Sequence, residues 1–192
     1  LQKEKDPVKR HDLNNLISKY HNMQLNLKIT LNSAFGAMGN EHFRYFDQRV
    51  TEAVTTSGQL SIRWVEKEIN GYLNDLLKPE ETKDYVVAVD TDSVYIRMDD
   101  LVKKVFGDKI EDKTKVIDFL DKVCEDKLED IIEKSYVRLA DYINAFQQKM
   151  VMKREVLADV GIWTGKKHYI LNVHNSEGVQ YEEPKLKIMG IE

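Results

Sequence analysis

Asp90-Thr91-Asp92-Ser93 sets two carboxylates one residue apart, with an apolar run on either side: Val86–Val89 before and Val94–Ile96 after. In extended chain, alternate residues share a face, so both carboxylates could point one way. Two such charges repel each other and resist leaving water. A hard divalent cation relieves that repulsion, and Mg²⁺ favours one or two carboxylates completed by substrate phosphates and water. The competing reading is a polar hairpin turn, since Asp and Ser are common turn residues.

Three further groups have chemistry in reach. Lys28 and Asn32 stand four apart, on one face of a helix. Lys28 is the one Lys, Arg, Asp or Glu between Lys19 and Glu41. An ammonium so placed suits a phosphate, while Phe35 can stack on a base or sugar and Gly36 admits a close backbone. A solvated lysine on an amphipathic helix is the plainer reading. Trp163–Val173 interleaves Lys166 and Lys167 with aromatics, including Tyr169, as a nucleic-acid backbone would require, or as a solvated strand start would show. Glu155 is a single carboxylate in a strand-like run.

The elements that position these groups follow from periodicity. Residues 1–12 are charged and contain Pro7, which suggests a frayed lead-in or the end of a helix whose partner is absent. Asp12 is a candidate N-cap for a helix from Leu13 to about Phe35, with stop signals at Gly36, Gly39 and Asn40. A second helix spans Asp47–Leu77, closed by Pro79. Strands are expected at 84–89 and 94–98, both as core. A short helix at 99–106 and a long one at 114–146 follow, the latter with Ile117, Leu120, Cys124, Leu128, Ile131, Leu139, Tyr142 and Phe146 on one side. Strands at 150–158, 167–174 and 179–189 complete the chain, with a turn at Asn175–Gly178. Helices and antiparallel strands are partly segregated, so the class is α+β.

The 192 residues suit one ordinary domain or a large piece of a bigger protein. No apolar run approaches the roughly 18–20 residues of a membrane helix, and Cys124 is the single cysteine, which excludes an intrachain disulfide and a cysteine-built zinc site. A reducing, cytoplasmic setting fits. The net charge of −4 runs against nucleic-acid binding, yet residues 1–50 carry eight Lys/Arg against five Asp/Glu, and residues 99–133 carry seven against twelve. A chain that starts at Leu1 and stops at Glu192 after an apolar run is expected to be a fragment.

Taken in order, the motifs resemble one family. Lys28-x-x-x-Asn32-Ser33-x-Phe35-Gly36, then Asp90-Thr91-Asp92-Ser93, then Lys166-Lys167-His168-Tyr169, then Lys187-Ile188-Met189-Gly190-Ile191-Glu192 are similar to the family B DNA polymerases, most of all to the replicative enzymes of large tailed phages. Gly39–Asp47, Ile69–Asn74 and Leu186–Glu192 add to the likeness.

The resemblance implies an incomplete polymerase. Residues 1–40 would form the C-terminal half of the fingers, a protruding helix, and residues 41–192 an antiparallel palm with packed helices, ending before the thumb. Lys28, Asn32, Phe35 and Thr91 would be nucleotide-binding, with Lys28 on the triphosphate and Phe35 standing where Tyr is usual. Asp92 would be the principal metal ligand, Asp90 its neighbour and Glu155 a palm carboxylate near the metals. Lys166, Lys167, Tyr169 and Gly190 would meet primer-template DNA, with His168 replacing a common Arg. The cofactor would be Mg²⁺, two ions in a complete enzyme, with Mn²⁺ able to substitute.

The reaction implied is template-directed nucleotidyl transfer from dNTPs, in a phage-infected host's cytoplasm and away from membranes. The family's other metal-binding aspartate, in a motif like Asp-x-x-Ser-Leu-Tyr-Pro-Ser, does not occur in the chain, so the isolated chain is expected to be inactive. Its partners would be the exonuclease, N-terminal palm and thumb, on the same or a companion chain, and a sliding clamp. A non-catalytic or complementing subunit of a split polymerase is the second reading. An Asp-x-Asp glycosyltransferase is a remote third, disfavoured because two helices, and no α/β nucleotide-binding unit, precede the motif.

Overall fold

A computed structural model describes residues 6–107 and 112–190, so Ile191 and Glu192 of the last motif lie outside the described residues. Two compact units divide the chain, Leu1–Ser57 and Gly58–Glu192.

The first unit is dominated by α1 (Pro7–Met38). The helix starts earlier than expected. Asp6, not Asp12, is the N-cap: its Oδ1 accepts the N–H of Val8 at 3.0 Å. Pro7 sits at the first helical position, where its missing N–H costs nothing and its fixed φ already suits a helix. Residues 7–12 are therefore its first turns and no lead-in. Gly36 stays helical and the helix closes at Gly39, whose N–H bonds the Phe35 carbonyl. No residue of α1 is buried, although Leu16, Ile17, Tyr20, Leu27 and Leu31 are apolar. The unit boundary falls within α2 (Gln48–Leu77).

The second unit holds the core. The later part of α2 buries Ile62, Val65, Ile69 and Leu73, the four-and-three spacing of one helical face. Val65, Ile69 and Leu73 pack with Tyr85, Val86, Ile132, Tyr136 and Leu139. After α3 (Asp99–Phe106) come α4 (Lys113–Val123), a π turn at Cys124–Leu128 and α5 (Glu129–Tyr142). The continuous helix expected at 114–146 is thus interrupted, and it ends earlier. After the wider π turn Ile132 and Tyr136 are buried and Ile131 is only partly covered, Leu139 is buried as expected, and Phe146, past the end of α5, is exposed.

Two antiparallel sheets complete the α+β unit: β1 (Val86–Asp90) with β2 (Ser93–Ile96), and β3 (Val156–Gly165), β4 (His168–Ser176) and β5 (Val179–Met189) in that order. The first hairpin is not core throughout: Val87 and Val89 are exposed. On β4, Tyr169, Leu171 and Val173 alternate inward and form a second cluster.

The strand expected at 150–158 begins only at Val156. Side-chain bonds replace a strand ladder just before it. The Arg154 N–H donates to Glu129 Oε1 at 3.1 Å, its Nη1 donates to Asn175 Oδ1 at 2.9 Å, and its guanidinium pairs with Asp121. Beyond, β3 runs to Gly165 because Gly161 leaves room for the Trp163 ring, which would lie 2.7 Å from a Cβ there. The last turn is tighter than expected. Glu177 and Gly178 both take positive φ, 49° and 81°, as a two-residue hairpin turn requires.

Candidate functional site

Asp90 ends β1, Thr91 and Asp92 form the turn, and Ser93 begins β2, paired with Asp90. Thr91 has a φ of 49°, and the Asp92 N–H donates to the Asp90 carbonyl at 2.6 Å. This tight turn gives the two carboxylates different surroundings. Asp90 is half-buried: its Oδ1 accepts the Thr91 hydroxyl at 3.1 Å and stands 3.3 Å from Lys167 Nζ. Asp92 is exposed and has no ion-pair partner among the described residues.

Lys166 and Lys167 do not enter a strand. They make the turn between β3 and β4, with Lys167 at a φ of 63°. Gly190 closes against that turn. A Cβ on it would lie 2.3 Å from the Lys167 carbonyl oxygen and 2.4 Å from His168 Cδ2, and its φ is +66°. Glycine is needed there for both space and backbone conformation.

Tyr169 is buried. Its ring meets Tyr95 edge-on at 5.5 Å between centroids, and Tyr95 meets Trp163 at 5.3 Å. Burial pushes the Tyr169 phenol well up, helped by its bond with Tyr95 and by the nearby Glu155 and Asp90 charges. Glu155, just before β3, has its own lysine: Lys187 Nζ donates to its Oε1 at 2.6 Å. Its carbonyl accepts the Glu177 N–H at 2.7 Å.

The fold therefore gathers Asp90, Lys166, Lys167 and Tyr169 around a groove of about 300 Å³, with Tyr95, Trp163 and the outer edge of β1 among its walls. Tyr95, Trp163 and Lys187 were not singled out from sequence. Tyr95 follows the aspartates on β2, Trp163 opens the basic-aromatic run, and Lys187 belongs to the last motif. No sequence signal joins Tyr95 to Trp163, because β2 and β3 belong to different sheets.

Lys28, Asn32 and Phe35 belong to the other unit, on α1, where Lys28 and Asn32 are exposed and Phe35 is half-covered.

Asp90 and Asp92 are hard oxygen donors, as Mg²⁺ prefers. Among the described residues no three His, Cys, Asp or Glu side chains converge to hold a metal. The donor chemistry fits one or two carboxylates completed by phosphates and water, and it does not fit an all-protein cage.

Residues 2–113 match DNA polymerase family B. This chain belongs to that family. The matched region contains the Lys28–Gly36 motif and the Asp90–Ser93 turn of this family B chain. The chain as a whole is 42% identical over 177 residues to the DNA-directed DNA polymerase of Escherichia phage RB69, and 40% identical over 177 residues to that of Enterobacteria phage T4. Each alignment covers 88% of this chain and 20% of the relative, so this family B chain spans about a fifth of their length. Among its described residues no helix is long and apolar enough to cross a membrane.

Proposed function

We propose that the chain supplies the palm and part of the fingers of a DNA-directed DNA polymerase, with residues 1–40 as fingers and 41–192 as palm. The observation that carries this reading is the Asp90–Ser93 turn set beside the Lys166–Lys167 turn, in a chain of this family. The substrates are dNTPs and primer-template DNA. The primer 3′-oxygen attacks the α-phosphate, a P–O bond forms, and pyrophosphate leaves.

Asp92 is the main carboxylate for a divalent cation, Mg²⁺ or Mn²⁺, with Asp90 beside it and Glu155 nearby. Such a cation offsets negative charge on the attacking and leaving oxygens. Lys28 and Asn32 bind the triphosphate, where the lysine counters charge that builds as pyrophosphate departs. Phe35 and Thr91 border the nucleotide. Lys166 and Lys167 hold DNA phosphates, Gly190 keeps their turn in place, and Tyr169 backs it from within. The remaining polymerase domains and a sliding clamp are the partners of this reading, and the host cytoplasm is its setting.

The test is a chimera in which this chain replaces the matching stretch of the phage RB69 polymerase. Metal-dependent primer extension that Asp92→Ala abolishes is the expected result. A folded chimera that binds primer-template but extends nothing overturns the reading. The isolated chain, offering two carboxylates at its turn, is expected to extend no primer. Extension by it would refute the claim that the ligand set is completed from elsewhere.

A further inference from the structure

Lys167 reaches Asp90 from a different hairpin, and its placement is built rather than incidental. Its backbone takes the left-handed conformation at the turn tip, and Gly190 packs against its carbonyl with no room for a Cβ. Asp90 Oδ1 is shared between the Lys167 ammonium at 3.3 Å and the Thr91 hydroxyl at 3.1 Å. Lys166, one residue away, has no carboxylate partner among the described residues. Asp92 likewise has no ion-pair partner among the described residues. Of the two carboxylates at one turn, then, one faces a lysine and the other faces none among the described residues.

We infer that Lys167 is a positioning residue, a tethered counter-ion of Asp90 that competes with a divalent cation for that carboxylate. The inference rests on the reading of this turn as a metal site. While the ammonium is in place, the turn offers a cation one unshielded carboxylate. When a cation recruits Asp90 as well, the ammonium is released at a turn tip that also carries Lys166. Lys167 therefore lowers cation affinity at this turn, and the penalty passes through Asp90 alone. A general field effect of removing any nearby lysine makes no such distinction.

The experiment is Mn²⁺ binding to the full 192-residue chain, read from the electron paramagnetic resonance of free Mn²⁺, in a double-mutant cycle. Lys167→Met is expected to tighten Mn²⁺ about three- to fivefold, the size of an exposed ion pair. Lys166→Met serves as the charge control, with a smaller effect. Adding Asp90→Asn to Lys167→Met is expected to remove the gain. Amine labelling of Lys167, but not of Lys166, should rise as Mg²⁺ is added.

Equal tightening by the two lysine variants, or a gain that survives Asp90→Asn, overturns the inference while leaving the metal site standing. Mn²⁺ binding that Asp92→Asn does not weaken takes down the metal reading itself. Absence of Mn²⁺ binding in every variant overturns the inference, which needs a cation at this turn, and leaves the metal reading to the chimera, where the ligand set is complete.

Discussion

Lys167 Nζ lies 3.3 Å from Asp90 Oδ1, joining the turn between β3 and β4 to the turn between β1 and β2. The contact separates two aspartates that look equivalent in sequence. Asp90 is half-buried and has a lysine beside it, whereas Asp92 is exposed with no cationic side chain beside it among the described residues. Removing Asp92 should therefore cost more than removing Asp90. In the chimera, Asp92→Ala is expected to lower extension by about a thousandfold or more, the scale on which lost transition-state charge stabilisation is felt. Primer-template affinity should change little. Asp90→Ala is expected to be milder. Steady-state extension and fluorescence anisotropy measure the two effects, and the reverse ranking would count against Asp92 as the main ligand.

Gly190→Ala should damage the Lys167 turn from behind. The new methyl carbon would meet the Lys167 carbonyl at 2.3 Å and the His168 ring at 2.4 Å, and φ at residue 190 is +66°. The carbonyl is backbone and moves only with the turn, whereas the exposed His168 ring can rotate away. A loss of about 2–3 kcal/mol is expected, combining backbone strain with forced movement of the turn. Urea unfolding of the chain gives the number. A stability unchanged within about 0.5 kcal/mol would show that the turn moves freely.

Much of this arrangement could be read from residue order, and the shortfalls have local causes. The β1–β2 hairpin, the two long helices and the last hairpin follow from apolar spacing and turn residues. The start of α1 was displaced because Pro7 reads as a breaker until its place at the first helical position is known. The π turn at Cys124–Leu128 leaves no mark on composition, yet after it Ile132 is buried where Ile131 was expected. At the candidate site the residues were legible one by one. Their partners were not. Lys167 with Asp90 and Lys187 with Glu155 are long-range pairs: the first is set by which hairpin turns come together, and in the second Lys187 on β5 meets Glu155 just before β3. Tyr169 was expected at the DNA, and it stands in a buried cluster with Leu171 and Val173.

Tyr85→Phe should stabilise the chain. Tyr85 is fully buried among Val65, Ile69, Leu73 and Tyr136. Its hydroxyl has no hydrogen-bond partner among the described residues. A hydroxyl taken out of water without a partner is costly, and phenylalanine keeps the ring while removing it. A gain of about 1 kcal/mol is expected. A raised urea midpoint with unchanged slope supports the assignment, and a lowered midpoint shows that the hydroxyl is bonded.

Asp159 should give the chain a distinct acid sensitivity. Burial works against its charge, but bonds from Asn172 Nδ2 at 2.8 Å and Lys113 Nζ at 3.1 Å, together with His174 Nε2 at 3.1 Å, hold its carboxyl down to about 2. Its ordinary value is 3.8. The folded state therefore keeps the charge at a pH where the unfolded state has taken up a proton. The sign follows: the contribution is complete above about pH 4–5, shrinks as pH falls, and is gone below about pH 2. Solvent reaches this carboxylate, so its size is on the order of 1 kcal/mol. Asp159→Asn is expected to unfold at lower urea than the parent chain at pH 7. The gap should narrow below about pH 4 and close near pH 2. Lys113 lies on α4 while Asn172 and His174 lie on β4, so the charge ties a helix to the sheet. A gap that stays constant from pH 7 to pH 2 would mean that the packing of residue 159, and not its charge, makes that tie.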